Sequence, residues 1–247
     1  MGRKYFLFFC ILAIGFLGLA GCKKSGECFT NTGPVVKEER LAGADFDSID
    51  MNEYVNLILT QDTVRRVVVE AGQNVISSIT TEIRNRHLII NNTLNCNWLR
   101  SYNKPINVYV SVVNLGLIHY VSSGNITSTN AIRSGNLLID IWGGCGSIDI
   151  SLDVYQGFFI MHMGTVDVTL HGKCDISSIF AGDFGFFQCK DLVTGYSFVT
   201  NNGSNDCYVN VSQFFNATIG SIGNIYYTGE PDTLQTKIIG TGKIIHF

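Results

Sequence analysis

From Gly124 to Phe247 the chain repeats one short phrase of alternating polar and apolar residues behind a glycine. It reads Gly124-Asn-Ile-Thr-Ser, Gly146-Ser-Ile-Asp-Ile, Gly164-Thr-Val-Asp-Val, Gly185-Phe-Phe-Gln-Cys, Gly203-Ser-Asn-Asp-Cys, Gly223-Asn-Ile-Tyr-Tyr and Gly242-Lys-Ile-Ile-His. Successive glycines lie 22, 18, 21, 18, 20 and 19 residues apart. A near-constant period of that length marks a solenoid or other repeat array. Two places after the glycine stand Ile126, Ile148, Val166, Phe187, Asn205, Ile225 and Ile244. Four places before it stand Tyr120, Trp142, Ile160, Ala181, Val199, Ile219 and Ile238. Only Asn205 interrupts these apolar columns. Alternation at period two predicts strands with one buried face, and the glycine is assigned to a turn that needs positive φ.

The pattern predicts an all-β fold, a right-handed parallel β-helix of ~20-residue coils stacked ~4.8 Å apart with the apolar columns inside. An antiparallel sandwich, with turns every 8–12 residues, gives no reason for a twenty-residue register. Upstream, Phe46–Met51, Tyr54–Thr60, Val64–Glu70, His87–Asn91 and Ile106–Val112 read as strands without the glycine period. Apolar residues at 75, 76, 79 and 83 predict one short helix within Asn74–Arg84. Residues 45–117 are therefore read as an N-terminal β region of irregular first coils that caps one end. Residues 118–247 are read as the regular repeats.

The N-terminus follows other rules. Arg3 and Lys4 precede an apolar run of 16 residues, Tyr5–Ala20, short for a membrane span of ~20 residues and suited to a secretion signal. The run ends in Leu19-Ala20-Gly21-Cys22, which looks like a bacterial lipoprotein signal. This predicts removal of 1–21 and lipidation of Cys22. Acyl chains contributing ~0.8 kcal/mol per buried methylene would then hold the chain on a membrane. Residues 22–44 are polar and read as a flexible tether. The expected location is extracytoplasmic, on the outer membrane. With 15% charged residues and a net charge of -3, the chain lacks the basic character of a nucleic-acid partner.

Several phrases recur in the order of a known family: Phe46-Asp-Ser-Ile-Asp, Glu70-Ala-Gly-Gln-Asn, Leu88-Ile-Ile, the glycine phrases, Ile225-Tyr-Tyr-Thr-Gly-Glu-Pro and Gly240-Thr-Gly-Lys-Ile. Over Phe46–Phe247 the chain resembles the head-GIN domain of autotransporter-adhesin heads. That resemblance implies a right-handed parallel β-helix on a secreted lipoprotein with an adhesin role, and it carries no catalytic residues. Gly164 and Gly203 stand alone where the family shows Gly-Ser-Gly, and Val113-Asn114-Leu115 stands where it tends to carry a proline.

Candidate chemistry is sparse. Asp149, Asp167 and Asp206 share one phase after the glycine, which makes Asp149 and Asp167 the candidates for a calcium site or an acid pair. A solvated outer face is the simpler reading. His87, His119, His162, His171 and His246 share no ligand spacing. Without Cys10 and Cys22, Cys28, Cys96, Cys145, Cys174, Cys189 and Cys207 remain, and none forms a Cys-x-x-Cys pair. Cys189 and Cys207 are expected to stack inward as thiols. Adjacent rings must split across a sheet, so one of Phe158 and Phe159, and one of Phe214 and Phe215, should face out as a binding surface for sugar rings or a partner protein. The expected function is a non-catalytic, lipid-anchored binding surface of the adhesin type, requiring no cofactor. Its partners would be a polysaccharide or an envelope or host protein. A polysaccharide lyase or hydrolase, and a self-associating structural protein forming homo-oligomers, remain the alternatives.

Overall fold

The computed structural model describes residues 31–40, 45–94 and 104–247. The signal segment 1–21, Cys22, Cys28 and Cys96 lie outside them. Among the described residues seventeen strands join one hydrogen-bonded network wrapped into a stacked β-solenoid of about 6 turns. They are β1 (Val35–Arg40), β2 (Ser48–Glu53), β3 (Asn56–Gln61), β4 (Arg66–Gly72), β5 (Ile79–Arg84), β6 (His87–Asn92), β7 (Asn107–Val112), β8 (Leu117–Ser122) and β9 (Ile126–Ser128). Then follow β10 (Ile132–Gly144), β11 (Ser147–Met161), β12 (Asp167–Ala181), β13 (Phe187–Asn201), β14 (Cys207–Ile219), β15 (Ile225–Thr228), β16 (Thr233–Ile238) and β17 (Ile244–His246).

The long strands bend at a corner. In β11 the buried side chains are Ile148, Ile150, Leu152 and Val154, then Gly157, Phe159 and Met161, so inward parity flips at Tyr155–Gln156. The same flip recurs in β12 and β13, whereas β14 turns the corner over Ser212–Phe214 with odd-numbered residues inward on both sides. Segments just after the glycine turn form a leading sheet, in the order β7, β3, β9, β11, β12, β13, β14, β15, β17, all parallel. Segments just before it form a trailing sheet, β6, β2, β8, β10, β11, β12, β13, β14, β16. Stacked like positions fill the interior with continuous apolar columns, such as Ile139, Phe159, Ile179, Val199 and Ala217.

Register departs from the glycine alignment. Ile148 lies opposite Val168, and Phe187 opposite Cys207, so the column runs Ile126, Ile148, Val168, Phe187, Cys207, Ile225, Ile244. Val166 and Asn205 instead occupy the level of Gly146, Gly185 and Gly223. Gly164 and Gly203 are thus first glycines of a Gly-x-Gly pair whose second member is replaced, which explains why they stand alone. The column before the turn is Tyr120, Ile141, Met161, Ala181, Asn201, Ile219, Ile238. Trp142 and Ile160 point outward, and a bulge between Ile141 and Gly143 sets Trp142 apart.

Glycine is needed mainly for clearance. A Cβ on Gly146 would sit 2.1 Å from the Gly124 carbonyl oxygen, and one on Gly185 would sit 2.0 Å from that of Val166. Only Gly164, at φ 118°, leads its phrase from the left-handed region.

The N-terminal region corrects two expectations. The helix within Asn74–Arg84 is one 3-10 turn, Ile76–Ser78, running into β5. β5 pairs antiparallel with β6 around Asn85 and Arg86, both at positive φ, so hairpin pairing overrides the apolar spacing. Within the expected tether, Val35–Arg40 forms β1 along β4, held by Lys37–Glu70 at 3.4 Å and Arg66–Glu39 at 3.3 Å. The first coils are also not stacked in chain order. The β2–β3 level lies between the β6–β7 and β8–β9 levels, and antiparallel β4, β1 and β5 cover the end.

Candidate binding surface

The three outer walls differ in chemistry. Outward positions of the leading sheet carry Thr127, Asp149, Thr169 and Gln188 in one column, which continues through Tyr208 and Tyr226, stacked at 4.7 Å, to Ile245. The wall between the leading sheet and the corner carries Arg133, Asp153 and Lys173, followed by exposed Val193. The trailing sheet is aromatic. One outward column there runs Leu117, Leu138, Phe158, Ser178, Phe198, Asn216, and the next carries Ile176, Tyr196, Phe214 and Thr233. Trp142, Tyr196 and Phe198 are 46%, 44% and 41% exposed. Phe214 meets Phe198 at 5.6 Å and Tyr196 at 6.5 Å between ring centroids.

The adjacent phenylalanines split across this sheet. Phe159 and Phe215 are buried, while Phe158 and Phe214 occupy outward columns. Trp142, Tyr196 and Phe198 complete the surface and were not legible from the glycine alignment. A strict step of twenty from Phe158 through Ser178 reaches Phe198, and that was the available signal.

Beside the rings stands a polar cluster. The Asp140 carboxylate accepts the Trp142 indole N–H at 2.8 Å and lies 3.0 Å from His162 Nε2 and 3.5 Å from His119 Nδ1. His162 stacks on Trp142 at 3.9 Å. Asp140 thereby fixes the pose of the exposed indole.

The sequence-derived acid pair is not brought together. Asp149 lies opposite Thr169 and Asp167 opposite Ser147, two positions out of phase. Asp167 accepts the Phe186 backbone N–H at 3.3 Å, and Asp149 meets His171 Nε2 at 3.0 Å. Asp206 likewise accepts the Asn224 N–H at 2.9 Å, while Asn56 and Asn125 accept those of Asn125 and Ser147, each at 3.0 Å. This column ties neighbouring coils together through side-chain caps at these steps. Among the described residues no three His, Cys, Asp or Glu side chains converge as a metal site.

Cys174, Cys189 and Cys207 are buried free thiols and Cys145 is an exposed one. Cys189 lies opposite Val209 and Cys207 opposite Phe187, so the two thiols sit diagonally. Burial pushes the Cys174 thiol up to about 12 and raises those of Cys189 and Cys207 as well.

Residues 45–231 match the family described as "Putative auto-transporter adhesin, head GIN domain". The chain belongs to the head-GIN family. Solved structures share the head-GIN architecture seen here. An adhesin-named protein from Bacteroides fragilis is 20% identical, with a TM-score of 0.79, over 87% of this chain and 97% of that one. One named as lipid-binding from Parabacteroides distasonis is 17% identical, with a TM-score of 0.64, over 88% and 98%. Another adhesin-named protein from Parabacteroides distasonis is 17% identical, with a TM-score of 0.58, over 87% and 98%. At such identities they establish the fold. No curated protein matches this head-GIN chain.

Proposed function

We propose that the chain is a lipid-anchored, extracytoplasmic binding module of the adhesin type. It acts without catalysis, by holding an extracellular ligand against its trailing sheet. The supporting observation is the gathering of exposed rings on the trailing sheet, where Trp142, Tyr196 and Phe198 are well exposed and Phe214 packs against two of them. Large apolar groups left in water on one face, rimmed by polar residues, are the mark of a surface used for contact. Aromatic faces offer stacking area at a small loss of side-chain freedom. The enzyme alternative has no support from Asp149 and Asp167, whose carboxylates serve His171 and the backbone of the next coil.

The test compares the full chain with a Trp142→Ala/Phe158→Ala/Phe198→Ala variant on immobilised glycans and on envelope and matrix proteins. Outward positions on a sheet tolerate truncation, so the variant should keep its circular-dichroism spectrum and thermal midpoint while losing tenfold or more in retention. Full retention by the folded variant removes the aromatic face from the proposal. Anchoring is read separately: Cys22→Ser should abolish labelling by a fatty-acid analogue and release the protein from the membrane fraction.

A further inference from the structure

The corner column facing away from the core runs Tyr155, Asp175, Gly195 up the stack. The missing side chain at Gly195 opens a notch between Asp175 below and Gln213 above. The resulting pocket of about 280 Å³ is lined by Tyr155, Asp175, Ile176, Gly195, Tyr196 and Gln213. It opens beside the aromatic face, with Tyr196 belonging to both. A Cβ placed on Gly195 would stand 3.3 Å from the Asp175 carbonyl oxygen and 3.6 Å from Gln213 Nε2. The floor of the notch is therefore bare backbone.

The polar groups around it are unspent. On β10–β14 and their turns, Asp140, Asp149, Asp153, Asp167, Asp183, Asp191 and Asp206 each bond or pair with a neighbour. Asp175 has no such partner among the described residues, and neither do the side-chain polar atoms of Tyr155, Tyr196 and Gln213. An acceptor carboxylate, a carboxamide that donates and accepts, and two phenols beside their own ring faces make an amphipathic set. A sugar ring matches it, with hydroxyls at its edge and C–H groups on its faces. The size is right for one ring, since pockets for drug-sized ligands begin near ~300 Å³. Asp175 with no lining cation disfavours acidic sugars.

We propose that this notch is a subsite for one neutral pyranose residue of a glycan. Asp175 and Gln213 hold its hydroxyls, and Tyr155 or Tyr196 stacks on its face. The proposal rests on the binding-module reading and narrows its ligand to a carbohydrate.

The experiment uses the full chain in detergent and the methyl glycosides of glucose, galactose and mannose, with methyl glucuronide as the acidic comparison. Saturation-transfer NMR should show ring protons of at least one neutral glycoside contacting the protein, and none for the glucuronide. Asp175→Ala should weaken that binding about tenfold, as loss of a charged hydrogen-bond partner does. Gly195→Val should abolish it by filling the notch. No neutral glycoside bound, or binding unchanged in both variants, overturns the subsite. The two readings separate cleanly. Retention that falls in the Trp142, Phe158, Phe198 variant but not in the notch variants leaves the face standing and removes the subsite. Glycoside binding lost in the notch variants, with retention unaffected by the face variant, does the reverse.

Discussion

At the scale of single residues, close approach between coils sets the strictest demands. Gly146 sits under a coil whose backbone leaves no room for a methyl group: its Cβ would lie 2.1 Å from the Gly124 carbonyl oxygen and 2.4 Å from Tyr120 Oη. That hydroxyl donates to the Gly124 carbonyl at 2.7 Å, bracing the turn. Four coils on, Asn201 occupies the same column and donates to the Asn205 carbonyl at 2.9 Å. Gly146→Ala should therefore cost about 2–3 kcal/mol in urea denaturation. Gly135→Ala, with nothing within 4 Å of its Cβ, should stay within ~0.5 kcal/mol of wild type. Equal effects at the two sites would contradict the clearance argument.

Buried acids give a second residue-scale expectation. Desolvation raises the Tyr120 phenol and the Cys174 thiol to about 12, from 10.0 and 9.0, and the Cys189 and Cys207 thiols rise with them. These groups stay protonated in the fold, whereas the unfolded chain releases their protons sooner. Their contribution is complete below pH ~9 and is lost progressively as pH climbs toward ~12. The urea midpoint should fall across that window, and a Cys174→Ala/Cys189→Ala/Cys207→Ala variant should flatten the slope. A midpoint constant from pH 9 to 11 would be incompatible with this.

At the scale of elements, the N-terminal region shows how a parallel stack is closed. β4 runs antiparallel along β7, and β1 then covers β4, with Lys37 4.8 Å above the Tyr109 ring and Glu70 accepting from Tyr109 Oη at 2.6 Å. Those hydrogen bonds hold the Glu70 carboxyl below its ordinary range. A chain lacking Val35–Arg40 would leave the edge of Arg66–Gly72 open, and open edges pair with other chains. Concentration-dependent association by light scattering is the expected result, and a monodisperse deletion protein would show that the cap is dispensable. The charged run Lys37-Glu-Glu-Arg40 reads as solvated tether because its pairing partner lies some thirty residues away. Likewise, apolar spacing in Asn74–Arg84 fits a helix locally, but β5 takes its conformation from β6.

At the scale of the whole molecule, a solenoid is built from neighbour contacts, so one register error propagates through every column. The glycine phrases revealed the period, the strand alternation and the inward stacking. They misplaced coils led by Gly164 and Gly203 by two residues, because either glycine of a Gly-x-Gly pair can survive alone. A shift of two keeps inward residues inward, so the fold remained legible. The same shift moves outward neighbours to different levels, and it separated Asp149 from Asp167.

What the sequence determined by itself was therefore everything carried by periodicity: an all-β stack of twenty-residue coils, its apolar interior, and the splitting of Phe158 from Phe159 and Phe214 from Phe215. These follow from local alternation, which any aligned coil repeats. Tertiary structure alone decided which residues lie above one another across coils, and hence the Asp140 cluster, the aromatic wall and the Gly195 notch. It also decided that β2–β3 enters between later strands, because hydrogen bonding between distant segments leaves no mark in the order of residues.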